Sequence, residues 1–216
     1  MARVDTAVRA VVRDSSVQAV PVLRTVAEAA NWWGGPGVIW FGAVAWLGAR
    51  ALRRRAVARI GLRGIEALAV ASALSGIVKG LAGRARPFVG GGPWRWEFNH
   101  GWTDARFFSM PSGHTTATMA FATGVLFATA GWPAGRRAAV AAPVVASALV
   151  VAWARVFTDQ HWFSDVLTAL LLGAATSVIL ARLHAGREAS AYNRWLVGPV
   201  SAVNDPGAAH TPEHRA

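Results

Sequence analysis

The sequence predicts an all-α, polytopic membrane helix bundle, and two observations lead to this fold class. The chain of 216 residues is 54% hydrophobic and only 15% charged, with a positive mean hydropathy, which is typical of membrane proteins. Five stretches are long and apolar enough to be transmembrane helices: residues 37–52, 62–81, 114–132, 138–157 and 164–183. The alternative, a soluble all-α protein, accounts poorly for so many segments that are apolar around the whole helix.

Residues 1–33 differ from these spans because apolar and charged positions are mixed. The segment contains Arg3, Arg13 and Glu28 among its valines, and it lacks the unbroken apolar core of a signal peptide. We predict an amphipathic helix that lies in the membrane interface, with Pro21 as a candidate break. Five spans place this segment outside the cell and an extra crossing would place it inside, so the sequence leaves its side open.

The rest of the chain divides into one packed domain and a tail. The spans are rich in Ala, Gly and Ser, as in VLTALLLGAATSVILA, and small side chains let helices approach closely in lipid. We therefore predict a transmembrane domain over residues 34–197. Residues 198–216 are polar and rich in Gly and Pro, which predicts a disordered C-terminal tail.

Arginine supplies nearly all of the positive charge behind the net +11 and lies mainly between the spans. Three clusters, at residues 50–63, 136–137 and 182–187, fall on one side when five spans alternate. Because short arginine-rich loops stay in the cytoplasm, the charge indicates topology and not nucleic-acid binding. The same alternation places residues 79–112 and 155–165 together on the external face. The chain has no cysteine, so a thiolate metal site is excluded.

Three polar motifs lie at the external ends of apolar helices, where charged residues cost folding free energy and usually have a function. They are Lys79-x6-Arg86-Pro87, Pro111-Ser112-Gly113-His114 and Arg155-x5-His161-x3-Asp165.

Each of these residue types suits a phosphate ligand. Arginine, here Arg86 and Arg155, grips two phosphate oxygens with a planar fork, whereas the only lysine of the chain, Lys79, offers a compact point charge. Ser112 and Gly113 would bring a hydroxyl and backbone N–H groups to a helix N-terminus, which favours an anion.

Two histidines and one carboxylate could then perform hydrolysis. His161 and Asp165 are four residues apart and share a helix face if the helix starts near His161, so the carboxylate can orient the imidazole as a nucleophile. His114 is left to protonate the leaving group and later to activate water. The sequence has no cluster with the spacing of a two-metal site, so we expect neither a metal nor another cofactor.

The three motifs, in this order and between these spans, resemble those of the type-2 phosphatidic acid phosphatase superfamily, which includes bacterial membrane lipid phosphatases and soluble vanadium haloperoxidases. The resemblance covers residues 62–183. It implies a phospho-histidine on His161 held by Asp165, with His114 as general acid and base. The phosphate would be bound by Lys79, Arg86, Ser112, Gly113 and Arg155.

The sequence departs from the family pattern at two places. Ala154 stands where the third motif commonly has serine, and residues 1–33 are too polar to match the additional first span of many bacterial members. Arg84 lies inside the first motif at an unspecified position, and we interpret it as interface charge.

The expected function is therefore a metal-independent lipid phosphatase of a bacterial cytoplasmic membrane, with its active site outside. Candidate substrates are a polyprenyl diphosphate such as undecaprenyl diphosphate, phosphatidic acid and phosphatidylglycerol phosphate. The partners would be the lipid phosphate and the bilayer, without nucleic acid, and the oligomeric state is left open. Two alternatives remain: a non-catalytic lipid-phosphate binding or transport protein, and a vanadate-dependent haloperoxidase, which the membrane spans disfavour.

Overall fold

The computed structural model describes residues 1–185 and 195–197. Within that part the chain forms eight α-helices, connected by turns: α1 Ala2–Val12, α2 Ser15–Gln18, α3 Pro21–Trp32, α4 Val38–Ala51, α5 Arg55–Ala82, α6 Gly113–Ala128, α7 Ala134–Phe157 and α8 Phe163–His184. The all-α helix bundle predicted from the sequence is confirmed. The tail predicted over residues 198–216 lies outside the described residues.

Three helices of the described chain, α5, α7 and α8, are long and apolar enough to cross a membrane. With 28, 24 and 22 residues, they span roughly 33 to 42 Å at about 1.5 Å per residue. These lengths match or exceed the hydrocarbon thickness of a bilayer, which is about 30 Å. The length and composition of these three helices therefore indicate a membrane protein.

The other two predicted spans also form helices, and the second of them is shorter than the sequence suggested. Helix α4 has 14 residues and begins only after the Gly34-Gly35-Pro36-Gly37 break, and α6 has 16 residues and ends at Ala128, before the Gly131-Trp132-Pro133 turn. Their lengths are about 21 and 24 Å. Apolar composition continued past Ala128, which is why the sequence did not show the shorter length of α6, whereas α4 matches its predicted span of residues 37–52 to within one residue at each end.

Helix α6 is the centre of the bundle, since it packs against α5, α7 and α8. Glycines at two of these interfaces allow close approach: a Cβ at Gly124 would lie 2.8 Å from the Arg63 carbonyl oxygen of α5, and one at Gly173 of α8 would lie 2.6 Å from the Thr116 carbonyl oxygen. This is the small-residue packing that the sequence predicted.

The helices alternate so that the three motifs meet at one end of the bundle, here called the site end. The end of α5, the start of α6, the end of α7 and the start of α8 all lie there, joined by residues 83–112 and 158–162. The arginine-rich turn between α4 and α5 lies at the opposite end.

The N-terminal helices lie against the site half of the bundle. Helix α1 contacts α7 and α8, and α3 packs along α7 through Ala27 and Ala30, which join a cluster with Val151, Ala154 and Phe157. Residues 33–37 then form a single π-helical turn with a non-helical conformation at Gly35, after which α4 continues. A turn of this kind marks a kink that packing against neighbours must hold.

Candidate functional site

The first motif places Lys79 and Arg86 on either side of the end of α5. The Lys79 side chain is buried, and its ammonium donates hydrogen bonds to the carbonyl oxygens of Phe108 at 3.1 Å and Ser109 at 3.3 Å. Arg86, in the loop, donates to Oε1 of Gln160 at 2.7 Å and to the carbonyl oxygen of Ala105 at 3.0 Å. Neither cation has a carboxylate at ion-pair distance in the described chain.

The second motif begins α6, directly beside the first. A Cβ at Gly113 would lie 3.5 Å from Cε of Lys79, so the start of α6 approaches the lysine side chain closely. Ser112 is fully buried, and its N–H donates to the carbonyl oxygen of Asp165 at 3.2 Å. This bond joins the second motif to the third.

His114 lies against the break between α3 and α4. A Cβ added to Gly35 would be 3.1 Å from Nε2 of His114, and one added to Gly34 would be 3.1 Å from the His114 Cβ. The glycines of the break therefore leave the space that the imidazole occupies. No sequence pattern linked residues 34–37 to the second motif.

The third motif spans the turn between α7 and α8. Arg155, in the last turn of α7, donates from Nη1 to Oδ1 of Asn31 at 2.9 Å, and its Nε has no hydrogen-bond partner in the described chain. The His161 N–H donates to the Arg155 carbonyl oxygen at 3.1 Å. Nδ1 of His161 lies 3.6 Å from Oδ2 of Asp165, which is the predicted pairing at a distance longer than a hydrogen bond.

Asp165 is held by more donors than the sequence suggested. Its Oδ2 accepts from Ser109 Oγ at 2.6 Å and from the Trp162 N–H at 2.9 Å, and its Oδ1 accepts from Nη1 of Arg84 at 2.5 Å. Arg84 is only 4% exposed. Its interpretation as interface charge was wrong, because the chain after α5 turns inward and buries the guanidinium between two carboxylates.

The second of these carboxylates is Asp5, from the N-terminal helix. Asp5 is buried, and its Oδ2 accepts from Nη2 of Arg84 at 2.9 Å. It also accepts from the Ser164 N–H and the Ser164 hydroxyl, both at 2.7 Å. Asp5 thus caps the first turn of α8, which sequence analysis did not anticipate because the two residues are 159 positions apart.

The charges of this cluster do not balance. Its cations and carboxylates are Lys79, Arg84, Arg86, Arg155, Asp5 and Asp165. With formal charges, four positive and two negative groups leave an excess of two positive charges. Both carboxylates pair with Arg84, so the excess lies on the other three cations. A phosphate monoester carries about −1.5 to −2 at pH 7, which matches this excess.

Burial also sets the state of the His161 imidazole. Removal from water lowers the pKa of His161 to about 3, against the opposing effect of Asp165 and together with the repulsion from Lys79 and Arg155. The ring is therefore neutral at physiological pH, as a nucleophile must be. Its Nδ1 has no hydrogen-bond partner within the described chain, and a catalytic role is one explanation for a buried polar atom of this kind.

We expect the folded protein to lose stability as the pH falls below about 6.5, the ordinary pKa of an unfolded histidine. Because burial lowers the pKa of folded His161 to about 3, this histidine binds a proton in the unfolded chain, but not in the folded chain, between about pH 6.5 and pH 3. This contribution is complete above pH 6.5 and is lost progressively toward pH 3, by roughly 2 to 3 kcal/mol at pH 4.5. Melting temperatures of wild type and His161→Asn in detergent at pH 7.5 and 4.5 measure it.

Asparagine cannot take up this proton, so His161→Asn should lose less of its melting temperature on acidification than wild type. His184→Asn, a half-buried histidine near the other end of α8, is the matched control and should behave like wild type. Equal acid losses in all three proteins would contradict the assignment to His161.

A separate cavity of about 430 Å³ lies toward the opposite end of the bundle, between α5, α6 and α8. Arg63, Glu66, Phe127 and His184 are among its lining residues, and no residue of the three motifs lines it. Among the described residues, no group of three or more His, Cys, Asp or Glu side chains is placed to hold a metal ion.

The fold and the site define a class: a membrane helix bundle with a cluster of cations and a buried His–Asp pair at one end. In a comparison with protein families, the model of the PAP2 superfamily matches residues 61–189. The chain belongs to this superfamily, and membership supports phosphatase activity on phosphate esters. No curated protein and no solved structure matches the chain significantly.

Proposed function

We propose that the chain is an integral membrane lipid phosphatase that hydrolyses a phosphomonoester or diphosphate of a membrane lipid through a phospho-histidine on His161. The observation that supports this most strongly is the excess of cationic charge around that histidine. Lys79, Arg86 and Arg155 have no carboxylate at ion-pair distance in the described part of the chain, and uncompensated charges are costly where they are buried, as at Lys79 and Arg155. A bound phosphate dianion would compensate them.

In the first step, Nε2 of His161 attacks the phosphorus atom while Nδ1 faces Asp165. The bond from phosphorus to the leaving oxygen breaks, and His114, which enters this step as the imidazolium, donates one proton to that oxygen and becomes neutral. Lys79, Arg86 and Arg155 stabilise the charge on the transferring phosphoryl oxygens. Ser112 and Gly113, next to Lys79, would complete the phosphate cradle at the start of α6.

In the second step, His114 accepts a proton from water, and the resulting hydroxide attacks phosphorus. The N–P bond breaks, His161 regains its lone pair, and inorganic phosphate leaves. The cations supply the electrostatic stabilisation, so no step in this scheme requires a metal ion.

A lipid is the proposed substrate because the site end carries exposed aromatic side chains. Trp94, Phe98 and Trp102 of the loop before α6 are 70%, 74% and 57% exposed, and aromatic side chains concentrate at the membrane interface. Trp102 also packs on the end of α5, since a Cβ at Gly80 would lie 2.2 Å from its ring. The loop would therefore adjoin both the lipid headgroups and Lys79.

The orientation follows from the arginines. The turn between α4 and α5 carries Arg50, Arg53, Arg54 and Arg55 at the end opposite the site, and such turns stay in the cytoplasm. We therefore propose that the site faces the exterior of a cytoplasmic membrane, where it would act on lipids of the outer leaflet.

We expect detergent-purified protein to release phosphate from at least one lipid phosphate in the presence of EDTA. The panel comprises a polyprenyl diphosphate, phosphatidic acid, phosphatidylglycerol phosphate and a soluble phosphomonoester, with and without EDTA, and it ranks the substrates by kcat/KM. Loss of all release on addition of EDTA would exclude the metal-independent scheme.

The panel also separates the alternatives. A non-catalytic lipid-phosphate binding protein would retain lipid phosphates without releasing inorganic phosphate. A haloperoxidase would oxidise halide only after loading with vanadate, and the apolar helices α5, α7 and α8 disfavour this soluble class.

A further inference from the structure

The N-terminal helix reaches the site end at two places. Asp5 and Arg9 are four residues apart and therefore share one face of α1. Asp5 binds Ser164 and Arg84 as described above, and Arg9 forms a two-point ion pair with Asp159, from Nε at 2.7 Å and Nη2 at 2.8 Å. Asp159 has a left-handed backbone with φ of 58° and lies two residues before His161. Helix α1 thus holds the turn that carries His161 from both sides.

Arg84 has no donor left for a substrate. Its Nη1 donates to Ser164 Oγ at 2.8 Å as well as to Asp165, and its Nε and Nη2 both donate to the Pro93 carbonyl oxygen at 3.1 and 2.9 Å. The rings of Trp96 and Trp162 lie 5.1 and 5.8 Å from its Cζ. These contacts fix the guanidinium rigidly and occupy all of its N–H donors with protein groups.

Sharing of Arg84 between two carboxylates affects Asp165. If Arg84 faced Asp165 alone, the two opposite charges would neutralise each other. Because Asp5 also pairs with Arg84, the guanidinium neutralises only part of the charge of Asp165. Asp165 therefore keeps net negative charge toward Nδ1 of His161, which lies 3.6 Å away. That charge favours the tautomer with a proton on Nδ1 and leaves Nε2 free for attack.

On these contacts, we infer that Asp5 and Arg84 are positioning residues that act through Asp165 on the orientation and basicity of the His161 imidazole, so that helix α1 is part of the catalytic apparatus. This inference rests on the proposed phosphatase function. It assigns a chemical role to the N-terminal segment, which the sequence predicted only to lie in the membrane interface.

Asp5→Asn tests the inference, with Glu28→Gln as matched control because it removes one negative charge from an exposed position of α3. We expect Asp5→Asn to lower kcat for a soluble phosphomonoester about 10- to 100-fold, as outer-shell partners of active residues commonly do. KM should stay within about threefold, since the proposed phosphate cations are untouched. Glu28→Gln should keep wild-type kcat and KM.

Two further variants test whether the charges act together. Arg84→Gln leaves two buried carboxylates without their shared cation and should lose more activity and thermal stability than Asp5→Asn. The double variant Asp5→Asn/Arg84→Gln removes one of these carboxylates and should recover part of both losses. Recovery of activity and stability in the double variant is the signature of a coupled network. If the losses of the two single variants simply add, the inference is wrong.

A readout on the His161 ring makes the test independent of turnover. In protein labelled with 15N-histidine, the ring signals of His161 are identified by their absence in His161→Asn. They should shift in Asp5→Asn and stay unchanged in Glu28→Gln. If Asp5→Asn leaves both these signals and kcat unchanged, or lowers kcat only in proportion to the folded fraction, the inference is wrong. If wild type releases no phosphate, the proposed function fails, and the ring signals still decide whether Asp5 acts on His161.

Discussion

Replacement of His161 by alanine is expected to abolish phosphate release from every substrate, with kcat falling by about 10⁴-fold or more, as for loss of a nucleophile in other covalent mechanisms. The reason is chemical: burial keeps the His161 ring neutral, and its Nδ1 faces Asp165, so the proposed attack comes from Nε2, which the alanine variant lacks. Initial rates of phosphate release under substrate saturation measure the effect. His161→Asn, which preserves more of the buried volume, is measured beside it.

Two controls separate loss of chemistry from loss of structure. His184→Ala removes a histidine near the other end of α8 and should keep full activity. Binding of inorganic phosphate, followed by calorimetry, should persist in His161→Asn because the three cations remain. If His161→Asn retains more than about a hundredth of wild-type kcat, another nucleophile carries the reaction.

The covalent intermediate gives a direct check of the same residue. Rapid acid-free quenching of wild type with a 32P-labelled substrate should yield protein-bound phosphate that is stable in alkali and labile in acid, as an N–P bond is. No such label should form on His161→Asn. Label of equal amount on both proteins would place the intermediate elsewhere.

Replacement of His114 by glutamine is expected to lower kcat by about 10²- to 10⁴-fold for alkyl phosphates, the usual contribution of a general acid–base group. The first step then lacks a proton donor for a poor leaving group. For an aryl phosphate, whose leaving group needs no proton, formation of the phospho-histidine should be nearly unaffected. The comparison of an alkyl with an aryl phosphate on this variant measures the difference.

The second step supplies a further signature of His114. Without a base to activate water, breakdown of the phospho-histidine slows, so an aryl phosphate should give a rapid burst of phenol followed by slow turnover. Gly35 packs on Nε2 of His114, so glutamine, which is no bulkier than the ring, is the better replacement. If kcat falls equally for alkyl and aryl phosphates and no burst appears, His114 is not the general acid and base and only contacts the phosphate.

Much of the site could be predicted from the sequence because its residues lie in short motifs. The structure brings Lys79 against Gly113, links Ser112 to Asp165, and places His161 beside that carboxylate. The assignment of these residues to phosphate binding and catalysis stays a prediction. The helices that present them followed from apolar periodicity, and α5, α7 and α8 confirm three of the five spans.

What the sequence missed depends on contacts between distant positions. Arg84 was interpreted as interface charge, Asp5 as part of an interfacial helix, and Ser109 had no role, yet all three belong to one buried network around Asp165. A polar residue shows no sign in sequence of the partner that will bury it. The sequence likewise gave no sign that the kink at residues 33–37 would pack against His114.

The amino-acid sequence by itself determined the apolar, helical class of this protein and predicted a phosphate chemistry for its three motifs, because hydropathy and local spacing act over a few residues. Only the tertiary structure decided which charges neutralise one another. Arg84 pairs with Asp5 and Asp165, and this leaves Lys79, Arg86 and Arg155 with their excess charge. Coulomb interactions depend on distance in space and on burial, and both are set by how the helices pack.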